Sequence, residues 1–418
     1  MEYRQLSVAG RFAPYSTGTA HDVLILWLRE GRLVLTSAHG VLGPLQVACR
    51  ASWHRLVVAF ALVAWPQEEA MIRMILIGDV SLQRSDPDSA FLPNMEVFAE
   101  PDIFFCNLET VVADASYLPP DDPSPKTFVG TYPRTDEALF PAYQRAGINI
   151  VNMANNVGFH HGYVPFVRSL EVVEASGMAF VGAGHDLERA RKPVVVERNG
   201  TKVAFVCRTA IFAQNAGATV NKAGMAVFGV ATAYQPQPRA HEVPGSPPIV
   251  RSFPNSEDCQ ALGEDIARAR QGADVVVASW HWGIGPGTGG AGQLAEYQTE
   301  MAHFCIDAGA DLVVGHHPNL LCPIEVYKGK VIAYALGNYV HDTASFSHQS
   351  ADTMILQCGI EGRQIRDVSF IPGRIEGCGP AHYGSRGEMA EVIDRLRSLS
   401  APLKTQFEVG ETSVKVRV

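Results

Sequence analysis

Five polar side chains follow short apolar runs of the sequence, and their chemistry is that of metal ligands. They are Asp79, Glu109, Asn156, His281 and His317. Short apolar runs closed by polar residues are typical of buried strands, and α/β proteins bind their ligands at the carboxyl ends of such strands. Carboxylate and amide oxygens mixed with imidazole nitrogens, without a thiolate, suit Mn²⁺, Fe, Zn²⁺ or Mg²⁺.

Together, the five side chains predict a divalent-metal site with one or two ions. Any one of them alone fits a capping carboxylate or a structural histidine equally well, so the prediction depends on their joint occurrence at strand ends. A carboxylate shared by two cations would make a binuclear centre that stabilises an anionic oxygen and activates water.

The elements that must position these residues alternate along the sequence. Strands are predicted at 74–79, 103–106, 148–151, 179–181, 275–278 and 311–314, and helices at 136–146, 164–176 and 256–271. Ser256 is the predicted N-cap of the third helix, and residues 213–253 are predicted to form a long loop or an insertion. Because hairpins follow the alternating part, the order predicts an α/β protein, a layered sandwich with mixed sheets.

The composition is that of a globular protein that does not bind nucleic acid. The chain has 418 residues, 47% of them hydrophobic, and a net charge of -9 from 34 basic and 43 acidic residues. The absence of long single-sign runs argues against nucleic acid or an anionic membrane as the main partner. None of the eight cysteines forms a CxxC pair, which favours a reducing, cytoplasmic location.

The first 73 residues do not match the rest of the chain and are predicted to be an appended extension. Its apolar segment, 56–65, is too short to span a bilayer and too far from the start for an ordinary signal peptide. Met71 or Met74 is an alternative start, and membrane association or export is expected only through this extension. Residues 74–375 are predicted to form the main domain, with 376–418 as a C-terminal tail that packs on it.

Several different short motifs follow one another along residues 74–371. They are Gly78-Asp79, Asn107-Leu108-Glu109, Ala154-Asn155-Asn156, His281-Trp282-Gly283, Gly315-His316-His317-Pro318 and Ala335-Leu336-Gly337-Asn338. Jointly they resemble the motifs of the poly-γ-glutamate capsule-biosynthesis (CapA-type) family, which belongs to the calcineurin-like metallophosphoesterase superfamily. The resemblance implies a metallophosphoesterase-like α/β/β/α sandwich.

The resemblance also implies a role for each candidate ligand. Glu109 would bridge two metals. Asn156, His281 and His317 would serve one of these metals. Asp79 would serve the other.

Two positions depart from the family pattern. Val157 stands where the family has the histidine expected to protonate a leaving group, and Asn319 stands where it has a closing metal-binding histidine. An amide oxygen is a weaker ligand for these cations than imidazole, so Asn319 weakens one of the two metal positions. Losing a general acid lowers rates by roughly 10²–10⁴-fold, so we expect a poor phosphatase. The candidate catalytic residues for other proton transfers are His160, His161, His316 and His341.

We therefore expect a metal-dependent enzyme that acts on a peptide or poly-γ-glutamate-like substrate. Its metal-assisted acid/base chemistry would be hydrolysis, or proton exchange with epimerisation at an α-carbon. One alternative is a metal-dependent phosphoesterase on the same fold. The other is a non-catalytic protein that binds or assembles capsule polymer. His160 and His161 fit a surface position at a helix start as well as a catalytic one.

Overall fold

The computed structural model divides the chain into two compact units, residues 1–65 and 66–418. It describes three strands of the first unit, and in the second it describes residues 71–98, 100–118, 134–285, 292–342, 350–376 and 381–418. The apolar segment 56–65 lies outside the described residues. None of the helices in the described part of the chain is both long and apolar enough to cross a membrane.

The strands and helices are numbered in chain order. The first thirteen strands are β1 (Ile25–Arg29), β2 (Arg32–Ser37), β3 (Gly40–Leu45), β4 (Ile72–Ser81), β5 (Ile103–Leu108), β6 (Val111–Val112), β7 (Arg134–Thr135), β8 (Ile150–Asn152), β9 (Ala179–Val181), β10 (Ala183–Gly184), β11 (Val194–Arg198), β12 (Thr201–Thr209) and β13 (Gly224–Met225). The others are β14 (Val230–Gln235), β15 (Ile249–Pro254), β16 (Val275–His281), β17 (Leu312–His316), β18 (Ile324–Tyr327), β19 (Lys330–Ala333), β20 (Asn338–His341), β21 (Ser350–Glu361), β22 (Gln364–Glu376), β23 (His382–Tyr383), β24 (Gln406–Val409) and β25 (Val414–Arg417). The α-helices are α1 (Met95–Phe98), α2 (Pro141–Arg145), α3 (Tyr163–Ala175), α4 (Leu187–Arg191), α5 (Ser256–Gly272), α6 (Glu296–Ala308) and α7 (Ala390–Ser400).

Two mixed sheets form the body of the second unit. The first sheet has the order β24-β25-β22-β21-β4-β5-β8-β9, with β20 beside the end of β4 and β23 beside β22. Its strands β4, β5, β8 and β9 are parallel, whereas β21 runs antiparallel to β4. The second sheet has the order β11-β12-β16-β17-β19-β18, and its four central strands are parallel. In the first unit, β1, β2 and β3 form a separate antiparallel sheet.

Three apolar layers hold the sheets and helices together. One lies on the outer face of the first sheet, where Phe104 packs with Leu170 of α3, and one on the outer face of the second sheet, where Val276 packs with Ile266 of α5. Between the sheets, the rings of Phe105 and a facing phenylalanine, Phe205, stack with centroids 5.2 Å apart. Strands buried on both faces read as continuous apolar runs, which is why they could be predicted. The predicted α/β/β/α sandwich with mixed sheets is confirmed.

Two local predictions are wrong. Residues 213–253 are not a long loop, because they contain the antiparallel hairpin β14–β15. Most of β14 is exposed, so the hairpin lacks the apolar alternation of a half-buried strand, and it is held at α6 by an ion pair between Arg251 and Glu296. The N-cap of α5 is Asn255 rather than Ser256, since the Asn255 side chain accepts from the backbone N–H of Glu257 at 2.9 Å.

A close backbone contact fixes the end of β4. Gly78 lies against Gly337, the residue before β20, so closely that a Cβ on Gly78 would lie 1.7 Å from the Gly337 carbonyl oxygen. The same carbonyl accepts from the backbone N–H of Asp79 at 3.2 Å. Only glycine therefore allows the chain to approach β20 and deliver Asp79 at this point.

Replacing Gly78 with alanine should lower the free energy of unfolding by about 3 kcal/mol or more, because the methyl group meets backbone that cannot shift without losing the Asp79 hydrogen bond. Urea-induced unfolding measures this loss. Gly272→Ala is the control, because a Cβ there meets nothing within 4 Å. It should change stability by about 1 kcal/mol or less, and equal losses in the two variants would contradict the contact.

Candidate metal centre

Polar side chains from both sheets meet at one edge of the sandwich. In the first sheet, Asp79 at the end of β4 lies opposite Asn107 of β5, and Asn107 lies opposite Asn152 of β8. In the second sheet, His281 at the end of β16 lies opposite His316 of β17. Because these strands are parallel, their carboxyl ends collect the polar residues in one place.

Three of the predicted ligands form a compact cluster. One ligand atom from each of Glu109, His281 and His317 lies within 4.8 Å of the other two. His281 is fully buried and Glu109 is 2% exposed. The Nε2 atom of His281 is 3.4 Å from Oε1 of Glu109, and the two imidazole rings have centroids 4.9 Å apart.

Two further predicted residues border this cluster. The side-chain oxygen of Asn156 lies 2.6 Å from Nε2 of His281. On the other side, Nε2 of His341 lies 3.7 Å from Oε2 of Glu109. The cluster and the residues that border it thus combine a carboxylate, imidazoles and an amide oxygen, the mixture that the sequence predicts.

Asp79 lies next to the three-residue cluster and is not a member of it. Its Oδ1 accepts from the side-chain amide of Asn107 at 2.7 Å and lies 3.4 Å from Nδ1 of His316. Its Oδ2 accepts from the backbone N–H of His317 at 3.2 Å. The Asp79 carboxylate therefore contacts groups that flank the cluster. Its predicted role as a metal ligand stays a prediction.

The remaining predicted residues lie in turns around this edge. Asn319 has a φ of 58°, and its Oδ1 is buried without a hydrogen bond from any described residue. His161 is 7% exposed, and His160 closes a turn in which its N–H donates to the carbonyl of Val157 at 2.9 Å. Val157 is buried and apolar where a histidine was expected from the resemblance. The catalytic roles of His160, His161, His316 and His341 stay predictions.

Sequence reasoning missed the asparagines that support the cluster. Asn107 donates to Asp79 and contacts Nδ1 of His281 at 3.2 Å, while its own oxygen accepts from Asn152 at 3.0 Å and from Asn155 at 3.4 Å. Asparagine is depleted in strands. The presence of Asn107 and Asn152 in buried strands was therefore the signal that could have identified them.

Burial sets the protonation of the cluster in the chain without a bound cation. It lowers the pKa of His281 well below its ordinary value and the pKa of His317 to about 4. Burial raises the pKa of Glu109 well above its ordinary value, and the negative charge of Asp79 raises it further. Burial also raises the pKa of Asp79, but hydrogen bonding and electrostatic attraction to His316 outweigh this effect and bring the pKa to about 2.

Comparison with known proteins assigns the chain to a family. The model of the family described as "Bacterial capsule synthesis protein PGA_cap" matches residues 69–343, about two thirds of the chain, and this range holds every predicted site residue. The chain belongs to the PGA_cap family. The resemblance to CapA-type proteins that the sequence motifs carry is thus confirmed.

Curated relatives of this PGA_cap chain have names that refer to polymer synthesis. "PGA biosynthesis protein CapA" of Bacillus subtilis is 27% identical over 257 residues, which is 58% of this chain and 57% of the relative. "Capsule biosynthesis protein CapA" of Bacillus anthracis is 30% identical over 265 residues, 62% of this chain and 54% of the relative. A "Probable polyglutamine synthesis accessory protein" of Mycobacterium tuberculosis is 28% identical over 243 residues, 58% of this chain and 56% of the relative. The PGA_cap chain thus spans little more than half the length of these relatives.

In the presence of a chelator, the free energy of unfolding should fall between pH 7 and pH 5. The fall should be about 2 kcal/mol larger for the wild type than for His341→Gln. Burial lowers the pKa of His341 to about 4, against about 6.5 in an unfolded chain. The unfolded chain therefore gains the proton first as the pH falls, and stability is lost.

Urea unfolding at several pH values measures the difference. Glu109, whose raised pKa acts in the opposite sense, is present in both proteins, so the difference between their profiles reports mainly on His341. Parallel pH profiles for the two proteins would contradict the lowered pKa of His341.

Proposed function

We propose that this chain is a divalent-metal-dependent enzyme whose cation is held by Glu109, His281 and His317, with Asn156 as a further ligand. The observation that carries the proposal is the cluster, with Glu109 and His281 buried, in which the ligand atoms of the first three lie within 4.8 Å of one another. The Asn156 oxygen lies 2.6 Å from His281 Nε2, beside the nitrogen that would bind the cation.

The donors fit a cation such as Mn²⁺, Fe, Zn²⁺ or Mg²⁺. Oε2 of Glu109 and Nδ1 of His317 are buried, and neither has a hydrogen bond within the described residues. Buried polar atoms without partners are rare in folded proteins. A bound cation would supply a partner for this cluster. The lowered pKa values keep both histidines neutral near pH 7, the state in which imidazole binds metals.

A divalent cation in this position would polarise a substrate carbonyl and stabilise negative charge that develops on its oxygen. The residues of the chain would bind and orient the substrate and move a proton. His341 is neutral at pH 7 and lies 3.7 Å from Glu109, so it is placed to accept a proton from a group held at the cluster.

The substrate we propose is a peptide or a poly-γ-glutamate-like chain. Relatives are named for PGA biosynthesis, capsule biosynthesis and polyglutamine synthesis, which supports an amide-linked polymer. Val157 also disfavours phosphoester hydrolysis, because its buried apolar side chain has no proton to give a departing alkoxide. Amide chemistry or proton exchange at an α-carbon is compatible with the histidines that remain.

Removal of the central carboxylate should abolish tight cation binding. We expect Glu109→Gln to weaken Mn²⁺ or Zn²⁺ binding by roughly 100-fold or more, beyond the range typical of residues that only support a ligand. Calorimetric titration of chelator-treated protein measures this affinity.

Glu325→Gln is the matched control, because Glu325 is also a buried glutamate beside a histidine, 2.8 Å from His303 Nε2, but belongs to a different cluster. It should bind the cation as the wild type does. A wild-type chain that binds no cation, or two variants with equal affinity, would remove the metal centre.

Activity assays should favour peptides over phosphate esters. In D₂O with Mn²⁺ or Zn²⁺, we expect cleavage of γ-glutamyl peptides or deuterium uptake at their α-carbons, with a loss of about 100-fold or more in His341→Gln. Mass spectrometry follows both products. Rapid hydrolysis of an aryl phosphate that disappears in His281→Ala, without peptide turnover, would instead identify a phosphoesterase.

A further inference from the structure

We propose that Asn107 is a positioning residue, whose side-chain N–H group fixes the Asp79 carboxylate and, through it, the backbone that carries His317. The inference rests on the proposed metal centre. Asn107 is completely buried and stands in a row of polar residues that lie opposite one another on adjacent strands. The row is Asn338 of β20, Asp79 of β4, Asn107 of β5 and Asn152 of β8.

Backbone groups decide which way the Asn152 amide faces. The N–H of Ala154 can only donate, and it lies 2.9 Å from Oδ1 of Asn152. The carbonyl of Ala154 can only accept, and it lies 3.2 Å from Nδ2 of Asn152. The same Nδ2 points to Asn107 at 3.0 Å, so the atom of Asn107 that meets it must be the oxygen.

A second asparagine imposes the same orientation independently. Oδ1 of Asn155 accepts from the backbone N–H groups of Val157 at 3.1 Å and Gly158 at 2.9 Å. Its Nδ2 donates to the carbonyl of Leu108 at 2.8 Å and lies 3.4 Å from Oδ1 of Asn107. A flipped Asn107 would place its NH₂ group against two other NH₂ groups, which would leave buried donors without acceptors.

The orientation leaves the Nδ2 group of Asn107 to donate to Asp79. Nδ2 donates to Oδ1 of Asp79 at 2.7 Å. Asp79 in turn accepts from the backbone N–H of His317, which has a φ of 99°, in the left-handed region. Asn107 thus supports His317 through Asp79.

Loss of this support should be visible as a loss of metal affinity in the folded chain. We expect Asn107→Leu to weaken Mn²⁺ or Zn²⁺ binding by roughly 10- to 100-fold, the range found when the partner of a ligand is removed. Asn152→Ala should weaken binding in the same direction with Asn107 intact, which keeps the test informative if Asn107→Leu does not fold. Combining the two substitutions should cost no more than Asn107→Leu alone, because Asn152 acts through Asn107.

Asn94→Leu is the control, since Asn94 is a buried asparagine that donates to Tyr339 and to the carbonyl of Ala381. It should lower the free energy of unfolding, as Asn107→Leu does, without changing the affinity of the folded protein. Wild-type affinity in folded Asn107→Leu would overturn the positioning role while leaving the metal centre intact. A wild-type chain that binds no cation would overturn the metal centre itself.

Discussion

A buried carboxylate must find its hydrogen-bond donors inside the protein, and the Asp79 carboxylate finds them on both sheets. Asn107 donates from the neighbouring strand of the first sheet, and the backbone N–H of His317 donates from the chain that follows β17 of the second. An ionised carboxylate left unpaired in the interior costs several kcal/mol. The two sheets therefore have to meet at this edge with their strands in register, and the residues beyond the strand ends are brought together as a result.

Much of the fold could be predicted from the sequence because its central strands are buried on both faces. The apolar runs that became β4 and β16 are continuous, and every residue of β16 is buried. The β14–β15 hairpin could not be predicted in this way. Most residues of β14 face solvent, and an ion pair and two hydrogen bonds join β15 to a helix that is distant in the sequence.

Part of the candidate site could be predicted for the same reason, and part could not. Strand ends placed Glu109, His281 and His317 together, because parallel strands collect such residues at one edge. The sequence could not separate them from Asp79, since a residue at a strand end can contact either a neighbouring strand or the opposite sheet. Asn107 was missed because its partners are defined by register between strands, which no single segment of sequence contains.

The alternation along β16 limits how this edge can change in evolution. Trp280 and Trp282 point to the outer layer, where their rings stack 4.8 Å apart, while His281 between them points inward. Deleting or inserting one residue in the strand would exchange an indole for the imidazole and turn the wrong face inward. Natural variation within β16 should therefore proceed by point replacement, whereas length polymorphism should be confined to the connecting loops.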